Sequence, residues 1–167
     1  MNSAFMSERL EMRLWGRKDL PIFHRLWGDP RVIWWRGTAL SWADSRAIFD
    51  KLLDKIAGMP SGLGWWVVRE RESGEPVGSV MLQPFGVGEV EIGVQILFDK
   101  WGKGYGTECV GAALDYIFDS SEIERVLAVV HVENEPSKKM VTRCGMVEEG
   151  FVMHAKLPHI RYIISRP

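Results

Sequence analysis

The residues of this chain best suited to chemistry lie where an apolar run meets a glycine-rich turn. Residues 90–98 are typical of a buried strand, and Gly102, Gly104 and Gly106 follow it at alternate positions. Apolar side chains then recur at helical spacing as far as residue 118. Glycines let main-chain N–H groups approach a ligand closely, and the first turn of a helix has unpaired donors at its positive end. The arrangement therefore predicts a cradle for a pyrophosphate.

Positive charge and motif spacing define this prediction further. Lys100 and Lys103 flank the turn and are expected to add charge to the cradle. A dinucleotide-binding fingerprint does not fit, because counting from Gly102 puts Thr107 where its last glycine is needed. A P-loop does not fit either, because Lys103 is followed by glycine instead of Ser or Thr. The alternative is a tight turn that binds nothing, but alternating glycines weaken a turn that has no ligand to hold.

The elements that must position this turn follow from the hydrophobic pattern. Helical spacing predicts helices that begin near Asp19, Ser41, Gly104 and Pro136. Alternating or continuous apolar runs predict strands at residues 9–14, 65–69, 77–82, 90–98, 125–132, 151–155 and 161–164. The resulting order, β-α-α-β-β-β-α-β-α-β-β, predicts a fold of the α/β (α+β) class.

The glycine turn resembles the acetyl-CoA-binding motif of the GNAT N-acetyltransferases. That motif is Arg or Gln, two residues, Gly, one residue, then Gly or Ala, and Gly104 and Gly106 match it. Trp101 stands where Arg or Gln is commonest, which is familiar in the branch that includes the ribosomal-protein N-terminal (Rim-type) acetyltransferases. A second stretch, N-E-P-S at 134–137 followed by C-G-M at 144–146, resembles that branch's Asn-x-x-Ser and closing Gly-Phe segment.

The resemblance covers residues 8–166 and implies a single GNAT domain over residues 1–167. It implies a mixed, mostly antiparallel central sheet flanked by helices, with acetyl-CoA as co-substrate and no metal. It also implies that the central strand splays from the strand at 125–132, so that unpaired main-chain groups hold the pantetheine arm. The cofactor-binding residues that it implies are Ile96, Leu97, Phe98, Lys103, Gly104, Tyr105, Gly106, Thr107, Asn134 and Ser137.

Two interpretations of Asn134 and Ser137 stay open. Asn and Ser routinely cap helices, here the helix that Pro136 begins. In the family the matching Asn contacts the cofactor arm and the matching Ser lies near the sulfur. The resemblance therefore implies a catalytic role for Ser137.

Transfer to an amine also needs a base, because a primary amine with a pKa of about 10 is mostly charged at neutral pH. Glu91 begins the central strand, where many GNAT enzymes place a base, and there it would also contact the substrate. The alternative is a structural carboxylate paired with an arginine. His131, on the next strand, either faces the same cleft or packs within the sheet.

The aromatic segment at 32–36 has no clear period and occupies the place where GNAT relatives form one wall of the acceptor site. Trp34 and Trp35 are therefore expected to bind the substrate. The alternative is that both belong to the core, where aromatic side chains are more often found.

Composition is that of an ordinary globular chain. The 167 residues are 46% hydrophobic and 26% charged, enough for one domain with a core. A net charge of −1 favours neither nucleic acid nor a membrane surface as a partner. Cys109 and Cys144 are expected to pack as small hydrophobes, since no Cys/His cluster has metal-ligand spacing. With no targeting segment and no apolar run of about 18 residues, the protein is expected to be cytoplasmic.

Together these observations favour an N-acetyltransferase that moves the acetyl group of acetyl-CoA directly to a primary amine. The acceptor is expected to be a small molecule or a peptide or protein N-terminus, and a homodimer is left open. A non-catalytic acyl-CoA-binding module and a purely structural domain are the alternatives from other classes. Release of free thiol from acetyl-CoA across a panel of amines separates the enzyme from the binding module.

Overall fold

Eight strands form one mixed sheet in the computed structural model, which describes residues 4–167, the side chain of Arg36 excepted. The strands are β1 (Phe5–Met6), β2 (Leu10–Leu14), β3 (Gly64–Glu70), β4 (Pro76–Pro84), β5 (Glu89–Ile96), β6 (Arg125–His131), β7 (Val147–His154) and β8 (Leu157–Ser165). The helices are α1 (Leu20–Trp27), α2 (Trp42–Ala57), α3 (Tyr105–Ser120) and α4 (Glu135–Arg143). In space the strands run in the order β1-β2-β3-β4-β5-β6-β8-β7.

The predicted fold class and order of elements are confirmed, with one strand added. The added strand, β1, has two residues, too few for alternation to be visible in the sequence. The predicted central strand at 90–98 is β5, and it ends at Ile96. After Leu97 the chain enters a 3-10 turn, Phe98–Lys100, that leads into the glycine turn.

Helix starts follow the capping signals, with one exception. The Oγ of Ser41 accepts the N–H of Asp44 at 3.1 Å at the start of α2, as the sequence indicates. Both α1 and α4 carry a proline in the first turn. The exception is α3, whose N-cap is Gly104, a residue with no side chain to cap the helix and no proline after it. The first donors of α3 are therefore left for another partner.

Two apolar layers cover the two faces of the sheet. Trp66 and Val68 of β3 belong to the layer beneath α3 and α4, whereas Val67 belongs to the layer beneath α1 and α2. Cys109 is buried in the first of these layers, and both it and the half-buried Cys144 are free thiols. No helix within residues 4–167 is long and apolar enough to cross a membrane.

The parallel pair β5 and β6 joins the two halves of the sheet. Residues 89–91 pair with 125–127, and the pairing then stops. Beyond this point β5 continues to Ile96 and β6 to His131. The two strands therefore separate towards their C-terminal ends, as the family resemblance implies, and leave a gap beside the start of α3.

Candidate active site

The gap between β5 and β6 exposes main-chain groups of β5. The N–H of Leu97 donates to the carbonyl of Val77, in line with β4, at 2.9 Å. Main-chain groups alternate in direction along a strand, so the odd-numbered residues of β5 bond to β4. The main-chain groups of Val94 and Ile96 therefore face the gap.

Of the three cofactor-binding residues expected at this end of the strand, Ile96 is the one whose main chain faces the gap. The expectation for Leu97 needs correction. Its N–H bonds to Val77, its carbonyl accepts the N–H of Lys100 at 2.9 Å, and its side chain is buried. The N–H of Leu97 faces β4 instead of the gap, and both of its main-chain groups are hydrogen-bonded within the fold. Phe98 is exposed, and its ring centroid lies 3.9 Å from the guanidinium carbon of Arg31.

Trp101, the residue that departs from the superfamily pattern, closes the end of β5. Its indole Nε1–H donates to the carbonyl of Ile96 at 2.8 Å. Its ring also packs against Phe98, with 5.0 Å between centroids. The carbonyl of Ile96 is therefore occupied from within the fold, and the N–H of Ile96 remains directed at the gap.

The glycine turn presents unpaired N–H groups at the start of α3. Gly102 and Gly104 have φ angles of 74° and 79°, a conformation that glycine adopts at little cost. The first helical hydrogen bond runs from the N–H of Glu108 to the carbonyl of Gly104 at 3.1 Å. The N–H groups of residues 105–107 consequently have no helical partner. Such donors at the positive end of a helix fit the diphosphate of coenzyme A.

Gly106 and Thr107 also hold α3 against α4. A Cβ on Gly106 would lie 2.6 Å from the Sδ of Met140, so the absence of a side chain permits this close approach. The carbonyl of Thr107 accepts a hydrogen bond from the thiol of Cys144 at 3.4 Å. These two residues therefore have a packing role besides any contact with the cofactor.

Lys100 does not add free charge to the cradle, contrary to the expectation from sequence. Its Nζ is buried and lies 2.9 Å from Glu70 and 2.6 Å from Glu75, two carboxylates of the β3–β4 hairpin. The hydroxyl of Tyr105 donates to the same Glu70 at 2.8 Å. Hydrogen bonds from Lys100, Ser73 and Tyr105 lower the pKa of Glu70 to about 2. The lysine thus braces the turn, and Tyr105 can reach a ligand through its main chain while its side chain is held elsewhere.

A second brace joins the turn to the N-terminal strands. Glu108 accepts hydrogen bonds from the hydroxyl of Ser7 at 2.6 Å and from the main-chain N–H and Nε of Arg9 at 2.8 and 2.7 Å. Arg9 also donates to the carbonyl of Lys103 at 3.0 Å and lies over the ring of Tyr105. Arg9 was not singled out in the sequence, because nothing near it in the chain indicates a contact about 100 residues away.

Asn134 and Ser137 take part in the helix cap and also lie at a cleft. The Oδ1 of Asn134 accepts the N–H of Ser137 at 3.2 Å and so caps α4. Both residues also line a cleft of about 500 Å³ that continues from the gap between β5 and β6. Capping therefore fixes two polar side chains at the wall of this cleft. Their contact with a cofactor stays a prediction.

Glu91 lies at the floor of the cleft and is 9% exposed. Its Oε2 accepts the Nε2–H of Gln83 at 2.8 Å, and the Oε1 of Gln83 accepts the Nζ–H of Lys55 at 2.8 Å. A cation on one side and a carboxylate on the other determine which way the Gln83 amide points. No arginine among the described side chains pairs with Glu91, whereas Glu89, two residues earlier, receives Arg161 at 2.7 Å.

The two adjacent tryptophans divide between cleft and surface. Trp35 lines the cleft, with its ring edge towards His159 at 6.4 Å between centroids. Trp34 is 42% exposed and lies against His131 at 5.4 Å, outside the lining. Trp35 is thus placed to contact a substrate, whereas a contact of Trp34 with the substrate stays a prediction. Trp27 and Trp65, which were not expected there, line the same cleft.

Three histidines meet at the far wall, and two of them were missed. The ring of His159 lies 5.3 Å from that of His131 and 5.4 Å from that of His154. The Nδ1 of His159 contacts the carbonyl of Leu157 at 2.9 Å, so Nδ1 carries the proton and Nε2 keeps a lone pair. Burial lowers the pKa of His159 and favours its neutral form. The pairing of His131 with His159 across β6 and β8 depends on strand register, which no local pattern indicates.

Comparison with known proteins agrees with this geometry. Residues 9–147 match the family model described as an acetyltransferase (GNAT) domain. The chain is 26% identical over 151 residues to an uncharacterized N-acetyltransferase, p20, from Bacillus licheniformis, covering 87% of this chain and 83% of the relative. The chain therefore belongs to the GNAT acetyltransferase family. The predicted enzyme class, an acetyltransferase that moves an acetyl group from acetyl-CoA to an amine, is confirmed.

Solved structures share the fold. A GNAT acetyltransferase from Bacillus anthracis superposes with a TM-score of 0.84 at 24% identity, over 98% of this chain and 99% of that chain. A putative ribosomal-protein-serine acetyltransferase from Vibrio cholerae gives 0.76 at 21% identity, over 98% of each chain. The spermidine N-acetyltransferase of Vibrio cholerae, solved with CoA and spermine, gives 0.79 at 22% identity, over 96% and 97%. The resemblance to the Rim-type branch thus extends to the fold.

Proposed function

We propose that the protein binds acetyl-CoA along the gap between β5 and β6 and transfers its acetyl group directly to a primary amine held on the Glu91 side of the sheet. The observation that carries this proposal is the end of β5–β6 pairing at residues 89–91, next to the uncapped start of α3. The gap opens into the cleft that contains Glu91. A thioester in the gap and an amine in the cleft would therefore meet.

The cofactor is held mainly by main-chain groups in this proposal. The N–H groups of residues 105–107 receive the diphosphate, and the exposed Lys103 adds charge beside them. The N–H of Ile96 and the main chain of Val94 pair with the pantetheine arm, with Asn134 on the opposite wall. One of these N–H groups, if aimed at the thioester oxygen as charge develops there, contributes about 3–4 kcal/mol to transition-state stabilisation.

The chemistry requires a proton to leave before the amine can attack. Glu91, directly or through a water, accepts a proton from the ammonium group. The amine nitrogen then forms a bond to the carbonyl carbon, the C–S bond breaks, and its electron pair leaves on sulfur. Thiol pKa values of about 8.5 make sulfur an adequate leaving group that does not require a general acid. The hydroxyl of Ser137 only assists its departure by donating a hydrogen bond to the sulfur. After the attack the nitrogen is positively charged and loses a second proton, which the departing thiolate takes up, while the proton held by Glu91 returns to solvent.

Gln83 and Lys55 are positioning residues for Glu91. The amide of Gln83 holds one carboxylate oxygen, and the ammonium of Lys55 holds the amide. This leaves the other oxygen, Oε1, without a hydrogen bond to the described residues and available to the substrate amine. A fixed carboxylate is a better base than a rotating one, because its lone pair already points at the reacting group.

The test is release of free thiol from acetyl-CoA in the presence of primary amines, combined with mass spectrometry of the acetylated product. Enzyme at micromolar concentration should give multiple turnovers with at least one amine. Acetyl-CoA binding by calorimetry without any turnover would instead support the acyl-CoA-binding module. Gly104→Ala tests the cradle in the same assay, because it changes the turn and leaves every side chain of the cleft in place.

A further inference from the structure

The charges that line the cleft are few, and they restrict the amines it can accept. Among its described lining residues there is one carboxylate, that of Glu91, and no lysine or arginine. The neighbouring carboxylate of Glu89 is already held by Arg161 at 2.7 Å and by Arg125 at 3.5 Å. An acceptor in this cleft therefore finds a carboxylate for one ammonium group and no carboxylate for a second one.

Three tryptophans form part of the acceptor wall. Trp27, Trp35 and Trp65 line the cleft, and they come from the end of α1, the turn after it and the start of β3. Indole faces favour an apolar or aromatic body by removing its surface from water. A cation–π contact stabilises an ammonium group less than the loss of its hydration destabilises it, so these walls do not replace a second carboxylate.

We propose that the preferred acceptor is a primary amine with a single positive charge attached to an apolar or aromatic body, and not a polycation. This inference rests on the proposed function and names the substrate class of the same cleft. The ammonium group pairs with the free oxygen of Glu91, while the body lies against Trp35 and Trp65. A polyamine or an aminoglycoside would bring further ammonium groups to walls that offer them no carboxylate.

A matched pair of amines tests the proposal. Hexan-1-amine and pentane-1,5-diamine have nearly the same length and differ at the far end, where one has a methyl group and the other an ammonium group. With saturating acetyl-CoA, kcat/KM for hexan-1-amine should exceed that for the diamine by roughly 10- to 100-fold, the range that one pocket contact gives. 2-Phenylethylamine is compared with a hexapeptide that has N-terminal Phe, and this comparison shows whether the acceptor is a free amine or a peptide N-terminus. A hexapeptide with N-terminal Lys is the doubly charged counterpart.

One variant should reverse the preference. Gln95 lies on the same face of β5 as Glu91 and lines the cleft, so Gln95→Glu adds a second carboxylate with almost no change in volume. It should shift the ratio towards the diamine by about tenfold, the effect of one charge-assisted hydrogen bond. Trp35→Ala should reduce the rate with hexan-1-amine and 2-phenylethylamine more than with the diamine.

The outcomes are distinguishable. A wild-type enzyme that acetylates pentane-1,5-diamine as well as hexan-1-amine, or better, overturns this inference and leaves the proposed acetyl transfer intact. A Gln95→Glu variant that keeps the wild-type ratio also counts against it, because the charge of the cleft would then not decide the acceptor. No thiol release with any amine overturns the proposed function, and this inference with it.

Discussion

The cofactor half and the acceptor half of the site are built in different ways. In the proposed site the cofactor half consists of main-chain groups of residues 94–107, which are close in sequence, and ion pairs of Lys100 and Glu108 brace this segment. The acceptor half uses side chains from separate segments: Trp27, Trp35, Trp65, Glu91, His131, His154 and His159. A main-chain site depends on conformation and tolerates many side chains, whereas a side-chain site changes its ligand with each substitution. The two halves should therefore respond independently to mutation.

The largest expected effect comes from a substitution that disables the acceptor half and leaves the cofactor half intact. Glu91→Gln removes the proposed base and should lower kcat at pH 7 by about 10² to 10⁴, the usual range for general acid–base catalysis. The loss should become smaller as pH rises towards the pKa of the amine, because free amine then forms without help. Acetyl-CoA affinity, measured by calorimetry, should stay within twofold of the wild type. Wild-type rates at pH 7 would place the base elsewhere, with His131 or His159 as the next candidates.

The next largest effect comes from a substitution that disturbs the cofactor half and leaves the acceptor half intact. Gly104→Ala places a Cβ in a left-handed conformation that costs about 1–2 kcal/mol, strain that is relieved if the turn moves. Binding that needs the native turn should then weaken by roughly 5- to 30-fold, seen as a higher Kd for acetyl-CoA.

Gly88→Ala is the matched control for this change. Gly88 has a φ of 73°, a Cβ there would meet no atom within 4 Å, and it lies in the β4–β5 connection away from the turn. It should lose a similar amount of stability and keep its acetyl-CoA affinity. Equal Kd values for both variants would show that the turn does not bind the diphosphate.

A smaller effect is expected at Ser137, where the cofactor half and the acceptor half meet. Ser137→Ala removes a hydroxyl that would hydrogen bond to the departing sulfur, and it should lower kcat by roughly 2- to 12-fold, the effect of one neutral hydrogen bond. The loss should change little between pH 6 and 10, unlike that of Glu91→Gln. The Oδ1 of Asn134 still accepts the main-chain N–H of Ser137 and caps α4 in this variant, so an unchanged unfolding temperature serves as the control. A pH profile like that of Glu91→Gln would assign Ser137 to proton removal instead.

The smallest expected effect concerns the ion pair of Glu70 with Lys100, which braces the glycine turn, and not the chemistry of the site. The pKa of Glu70 is about 2 in the folded chain and 4.5 ordinarily, so the unfolded chain binds more protons between these values. The contribution of Glu70 to stability is therefore complete above about pH 4.5 and is lost as the pH falls towards 2. Glu70→Gln should flatten the fall of the unfolding temperature over this window. An unchanged slope would mean that the pairing with Lys100 does not stabilise the fold.

The fold was largely predictable, and the deviations have local causes. The strands and helices follow from apolar runs and caps such as Ser41, which depend on neighbours in sequence. The two-residue β1 carries no periodic signal, and the early end of β5 at Ile96 depends on the 3-10 turn that follows it. In the site, Leu97 was assigned to the cofactor because the sequence does not show which strand its N–H faces.

The sequence by itself determined the glycine cradle, the start of α3 and the presence of Glu91 on the central strand, because these are properties of consecutive residues. Tertiary structure alone decided that Lys100 faces Glu70 and Glu75, that Gln83 and Lys55 hold Glu91, and that three histidines share one wall. Those contacts join segments that are far apart in the chain. They depend on strand register and on the separation of β5 from β6, and both are set by packing across the whole sheet.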